Sequence, residues 1–130
     1  MIRTRPSLLL VEDDESLRRV VARHLRDQGF AVTEAASAEA ASAAIDGGLR
    51  PNLVLLDLNL PGDTGWEFLR GPQLAAAGSP PVVIATATAV SPRRLSEFHI
   101  AGYLPKPFPL ETLVDTVERT LQMERVPQEP

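Results

Sequence analysis

Four carboxylates in a row, Glu12, Asp13, Asp14 and Glu15, follow the apolar run 8–11, and a fifth, Asp57, closes the apolar run 53–56. Two more apolar runs end in groups of different chemistry: 82–85 leads into Thr86, and Tyr103 and Leu104 lead to Lys106, held between Pro105 and Pro107. Carboxylates about 4 Å apart repel by roughly 4 kcal/mol at an effective dielectric near 20, so three brought together need a proton or a cation among them. Oxygen donors with no His or Cys nearby in sequence suit Mg²⁺, a hard cation that keeps several waters and needs few protein ligands. Asp14 and Glu15 fit a different task, the start of a helix, where carboxylates accept free backbone N–H groups and favour the dipole. Two acids are expected to bind and two to cap.

These residues can meet only if the chain folds their carriers side by side. The run 8–11 reads as a strand buried on both faces. From Ser16 the apolar positions Leu17, Val20, Val21 and Leu25 fall at helical spacing, and Gly29 closes the segment. Residues 30–34 read as a weaker strand, and an Ala-rich helix from about Ala38 to Ile45 ends at Gly47 and Gly48. The unit repeats: strand 53–56, a helix carrying Trp66, Phe68 and Leu69 that Gly71 and Pro72 should end early, strand 82–85, a short helix at 92–98, a short strand at Tyr103 and Leu104, and a last helix with the stripe Leu110, Leu113, Val114, Val117 and Leu121. Five short apolar strands alternating with five helices predict an α/β fold with a parallel sheet covered on both faces. Right-handed crossovers put every strand's carboxyl end on one edge, where such sheets carry their sites. The chain is expected to fold as one domain over 1–123, with 124–130 a tail or the start of a linker.

Composition narrows the chemistry. The 130 residues include no cysteine, which removes disulfides, thiolate metal sites and thiol nucleophiles. No apolar run approaches the roughly 20 residues of a membrane span, and the run 8–11 is too short for a leader's apolar core, so a cytoplasmic, membrane-free protein is expected. A formal net charge of −4 argues against direct nucleic-acid binding by this domain. His24 and His99 have no partner at metal spacing and receive no role. Arg19, Arg23 and Arg26 share a helix face, read first as a solvated face.

In order and spacing, VEDDESLRRVV, LDLNLPGDTGWEFL, VIATA and GYLPKPF resemble the receiver domain of bacterial two-component response regulators, over residues 7 to about 122. The resemblance implies a flavodoxin-like three-layer sandwich with strand order 2-1-3-4-5. It implies that Asp57 accepts a phosphoryl group from a sensor histidine kinase or a histidine phosphotransfer protein. Mg²⁺, for which Mn²⁺ can substitute, would be held by Glu12, Asp13, Asp57 and the backbone carbonyl of Asn59. Lys106 and Thr86 would contact phosphoryl oxygens, with small Ala87 leaving access. Thr86 and Tyr103 would form the switch that reshapes the face of the fourth helix, last strand and last helix. That face would serve a downstream target, an attached output domain or a dimer, and the first helix would serve kinase docking. The family more often carries Asp where this chain has Glu12. Lys106 follows Thr86 by 20 positions, a shorter interval than the family pattern, which should shorten the fourth helix or its following loop.

Other functions remain to be separated from this switch. A phosphatase acting through an aspartyl phosphate would share Asp57 and Mg²⁺, but usually has a second Asp two positions on, where this chain has Asn59. A phosphorylation-independent receiver-like binding module would typically have lost an acid or the lysine, and all are present. A flavin carrier would need a Ser-, Thr- and Gly-rich phosphate loop after Val11, where the acids stand instead. The resemblance implies a phosphoacceptor that catalyses its own phosphorylation and dephosphorylation, not a turnover enzyme.

Overall fold

A computed structural model describes residues 5–125. Five parallel strands, β1 (Ser7–Val11), β2 (Ala31–Ala35), β3 (Leu53–Leu56), β4 (Val82–Thr86) and β5 (Gly102–Pro105), form one sheet in the order β2-β1-β3-β4-β5. This is the flavodoxin-like order expected. The helical segments are α1 (Glu15–Asp27), α2 (Ala38–Asp46), α3 (Gly65–Arg70), α4 (Gln73–Ala76), α5 (Pro92–Glu97) and α6 (Leu110–Arg125).

Alternation along the strands divides the core into two layers. Leu9, Val11, Val54, Leu56, Val82 and Ile84 face α2 to α4, meeting Ala38, Ala41 and Ile45 of α2 and Phe68 of α3. Leu8, Leu10, Leu53, Leu55, Val83 and Leu104 face α1 and α6, where Val21, Leu25, Leu113 and Val117 complete the opposite layer. Every residue of β3 is buried, which is why its sequence carries no alternation. At about 1.5–3 kcal/mol for each large apolar side chain removed from water, this central strand is the mechanical reference for whatever follows it. Edge strand β2 is only half-buried. Arg26 covers it, donating from Nη2 to the Val32 carbonyl at 2.9 Å and from Nη1 to Glu34 at 3.1 Å, so fewer edge groups remain open to another chain.

Most expected boundaries hold to within a residue or two, and the exceptions have local causes. Pro72 does end the third helix, but the chain turns once more as α4 before Gly78, giving six helical segments among the described residues where five were expected. The second strand begins at Ala31 because Phe30 belongs to the end of α1: Gly29 adopts φ 99° and the Phe30 N–H donates back to the Leu25 carbonyl at 3.1 Å. Asp14 caps α1 as expected, accepting from the Leu17 N–H at 3.0 Å, whereas Glu15 is the first helical residue and pairs with Arg19 instead of capping. α6 continues to Arg125, two residues past the expected domain boundary, and 126–130 lie outside the described residues. α5 is short, as the interval between Thr86 and Lys106 required, and contributes no fully buried residue. Among the described residues no helix is long and apolar enough to cross a membrane.

Candidate metal centre at the carboxyl edge of the sheet

The strand ladder does not stop where the strands do. The Glu12 N–H donates to the Ala35 carbonyl at 3.0 Å, the Asp57 N–H to the Val11 carbonyl at 3.0 Å, and the Lys106 N–H to the Thr86 carbonyl at 2.9 Å. Each chemical residue therefore leaves the sheet from a backbone already fixed by its neighbour. With Val11 opposite Leu56 and Thr86 opposite Pro105, the ends of β1, β3, β4 and β5 come together.

Oxygens of Glu12, Asp13 and Asp57 lie within 4.8 Å of one another. Glu12 and Asp57 are each 5% exposed, while Asp13 is open to solvent. The cation that the crowding demanded is supplied in part by the chain itself. Lys106 Nζ lies 2.5 Å from Glu12 Oε1 and 3.0 Å from Asp57 Oδ2. Burial drives the Glu12 carboxyl above the ordinary glutamate range, and its hydrogen bonds from Lys106 and the Asp14 N–H only partly offset that. For Lys106 burial pulls downward, but the hydrogen bonds to Glu12 and Asp57 and the negative charges of those two groups together outweigh it, so its pKa is raised and the ammonium persists. One ammonium among three carboxylates leaves negative charge at the open side of the cluster. The floor beneath is apolar and packed, with a void of only about 10 Å³ among residues such as Leu10, Leu55 and Phe108, too small to seat a substrate. Any reaction here takes place at the rim.

The remaining expected residues form a second, hydroxyl-rich half. Asn59 donates from its backbone N–H to Asp57 Oδ1 at 3.1 Å, and from Nδ2 to Thr88 Oγ1 at 2.5 Å and Thr86 Oγ1 at 3.3 Å. Fully buried Thr86 also accepts from the Thr88 N–H at 3.3 Å. The Tyr103 hydroxyl donates to the Thr88 carbonyl at 3.3 Å. Thr86 and Tyr103 are thus joined through Thr88, which sequence reasoning did not single out. Its only signal was a hydroxyl two positions beyond Thr86. Arg18 was also missed: its side chain spans Glu12, α1 and β2, and spacing on α1 did not distinguish it from its exposed neighbours. Trp66 packs against Phe98 of the turn after α5, ring centroids 5.1 Å apart, with the Arg94 guanidinium 4.3 Å above its own ring.

The model of the response regulator receiver domain matches residues 8–118. The chain belongs to that family. Relatives of this receiver domain include protein PetR of Rhodobacter capsulatus, 33% identical over 95% of this chain and 51% of that protein, and the transcriptional activator protein PfeR of Pseudomonas aeruginosa, 37% identical over 94% and 41%. The receiver domain spans about half the length of these relatives. The chemotaxis protein CheY4 of Vibrio cholerae superposes with a TM-score of 0.80 at 30% identity, covering 90% of this chain and 99% of the other. A CheY-like receiver domain protein from Methanospirillum hungatei, at 23% identity, has a TM-score of 0.84 over 93% and 97%, and supports the fold. Receiver domains are phosphorylation-dependent signalling switches of two-component systems, and their acidic residues bind Mg²⁺. The cluster described above provides an all-oxygen donor set, partly open to water, that suits such a hard cation.

Proposed function

We propose that Asp57 is the phosphoacceptor, receiving a phosphoryl group from the phosphohistidine of a sensor kinase or a histidine phosphotransfer protein. The observation that carries this reading is a buried carboxylate fixed by β3, flanked by two more acids and contacted by a lysine, at an edge with no room for a buried substrate. An Asp57 oxygen attacks phosphorus in line as the phosphorus–imidazole bond breaks, and the departing imidazole takes a proton. Glu12, Asp13, Asp57 and the Asn59 carbonyl would hold Mg²⁺ or Mn²⁺, which when bound neutralises the equatorial oxygens. Lys106 already hydrogen-bonds Asp57 and stays charged, so it can follow the added oxygens and stabilise them. Thr86 reaches the same group by exchanging its Asn59 and Thr88 contacts for a phosphoryl oxygen.

An apolar groove of about 440 Å³ opens beside Lys106, lined by Leu17, half-exposed Val20, Pro107 and Phe108, and provides a surface on which a phosphodonor protein can seat its histidine. The output would be the face of α5, β5 and α6, reached through Thr86, Thr88 and Tyr103 and read by a protein target, an attached output domain or a second copy. Incubation with acetyl phosphate and Mg²⁺ should add one phosphoryl group by intact mass, with none added in chelator or in Asp57→Ala. Addition that survives Asp57→Ala unchanged refutes the assignment.

A further inference from the structure

Asp13 differs from the other two acids in how it is aimed. Glu12 accepts from Lys106 and from the Asp14 N–H, and Asp57 accepts from Lys106 and from the Asn59 N–H. The exposed Asp13 carboxylate accepts no hydrogen bond among the described residues, so its direction depends on its backbone. That backbone begins with the Glu12–Asp13 peptide, whose oxygen is the Glu12 carbonyl. Arg18 takes this oxygen: Nη1 donates to it at 3.1 Å, while Nε donates to Glu34 Oε1 at 3.2 Å. The Arg18 side chain is only 14% exposed. Glu34 adjoins Ala35, whose carbonyl accepts the Glu12 N–H at 3.0 Å. A closed ring results, from Glu12 to Ala35 and Glu34 on β2, to Arg18 on α1, and back to Glu12.

We infer that Arg18 is a positioning residue for the metal-binding acids, locking the Glu12–Asp13 peptide plane so that Asp13 leaves the backbone toward Glu12 and Asp57. This rests on the reading of the cluster as a metal-dependent phosphoacceptor site. The role needs a fork, because two donors of one planar group must reach a carboxylate and a carbonyl on different elements, and an ammonium is a single point. Arg26 contacts the same Glu34 from solvent without touching Glu12, and so serves as a control for general loosening of β2. Groups that orient metal ligands typically matter about 10–100-fold in affinity.

The test is a Mg²⁺ titration followed by the Asp13 and Asp57 amide resonances of the labelled protein, with a thermal melt of each variant to establish folding. Arg18→Lys should weaken Mg²⁺ binding roughly tenfold. Glu34→Ala should weaken it in the same direction, and the double variant should be no worse than Arg18→Lys alone, because both substitutions open one ring. Arg26→Ala should leave the affinity within about twofold, well below the tenfold effect expected of a ligand-orienting group. In phosphorylation by acetyl phosphate, Arg18→Lys should raise the half-saturating Mg²⁺ concentration while the rate at saturating Mg²⁺ stays close to the parent's. A parent that shows no saturable Mg²⁺ response overturns the metal reading and this inference with it. A parent that binds, alongside a folded Arg18→Lys that binds as tightly or an Arg26→Ala that weakens binding equally, overturns the inference alone.

Discussion

Lys106 and Asp13 divide the electrostatics of the site between them. The lysine sits on the two buried carboxylates and compensates them, so the repulsion left over falls on Asp13, at the solvent side. Replacing Asp13 by Asn should therefore raise the melting temperature in chelator, by roughly 3–5 °C for each kcal/mol of repulsion relieved in a domain of this size, and remove most of the stabilisation that Mg²⁺ gives the parent. A lower melting temperature in chelator would mean that Asp13 holds the local backbone instead of straining it. Gly65 constrains the other side of the site. A Cβ there would stand 2.7 Å from the Asp57 carbonyl oxygen and 2.8 Å from Leu58 Cα, and neither backbone atom can move cheaply. Gly65→Ala should cost about 1–3 kcal/mol by denaturant melts and slow phosphorylation of Asp57, whereas a neutral result would show that the loop after β3 yields freely.

At the scale of elements, α5 is the weak member. It has six residues, none fully buried, and the turn after it passes through His99 at φ 54°, the same turn that Gly29 makes after α1: the His99 N–H donates to the Ser96 carbonyl and the Ile100 N–H to the Leu95 carbonyl. A left-handed residue with a side chain costs roughly 1–2 kcal/mol, part of which glycine returns as greater freedom of the unfolded chain. His99→Gly should thus stabilise the fold by about 0.5–1 kcal/mol in urea titrations, and a destabilised variant would mean that the imidazole has a packing role. For the same reason the backbone amides of 88–101 should exchange fastest within the folded core of the domain and become protected when beryllofluoride and Mg²⁺ occupy the site. Equal protection with neighbouring helices, unchanged by beryllofluoride, would place the switch elsewhere. This shortness was legible in the sequence from the interval between Thr86 and Lys106, as were β1, β3 and β4, because strands buried on both faces write themselves as unbroken apolar runs. α4 was not, since a single turn restarted after Pro72 has no period to show. The partners of Arg18 and Thr88 were not legible either, because spacing reports which face a residue occupies and not which distant backbone oxygen its side chain will meet.

Taken as a whole molecule, the fold brings one residue or pair from each of four strand ends to a single edge and leaves the opposite layers to hold them there. Acid positions, lysine and threonine could be foreseen as neighbours once the alternation of elements implied a parallel sheet; that the lysine would sit on Glu12 and Asp57 could not, since strand order brings Lys106 to the edge without saying which carboxylates its side chain will meet there. All the proposed chemistry converges on one covalent event at Asp57. The most direct measurement is to treat the protein with acetyl phosphate and Mg²⁺, reduce it with borohydride, which converts an aspartyl phosphate to homoserine, and locate the new residue by peptide mass spectrometry. The account predicts homoserine at position 57 alone, and none when chelator replaces Mg²⁺. Homoserine at another acid, or a chain left unmodified at 57 under conditions that phosphorylate the protein, would contradict it.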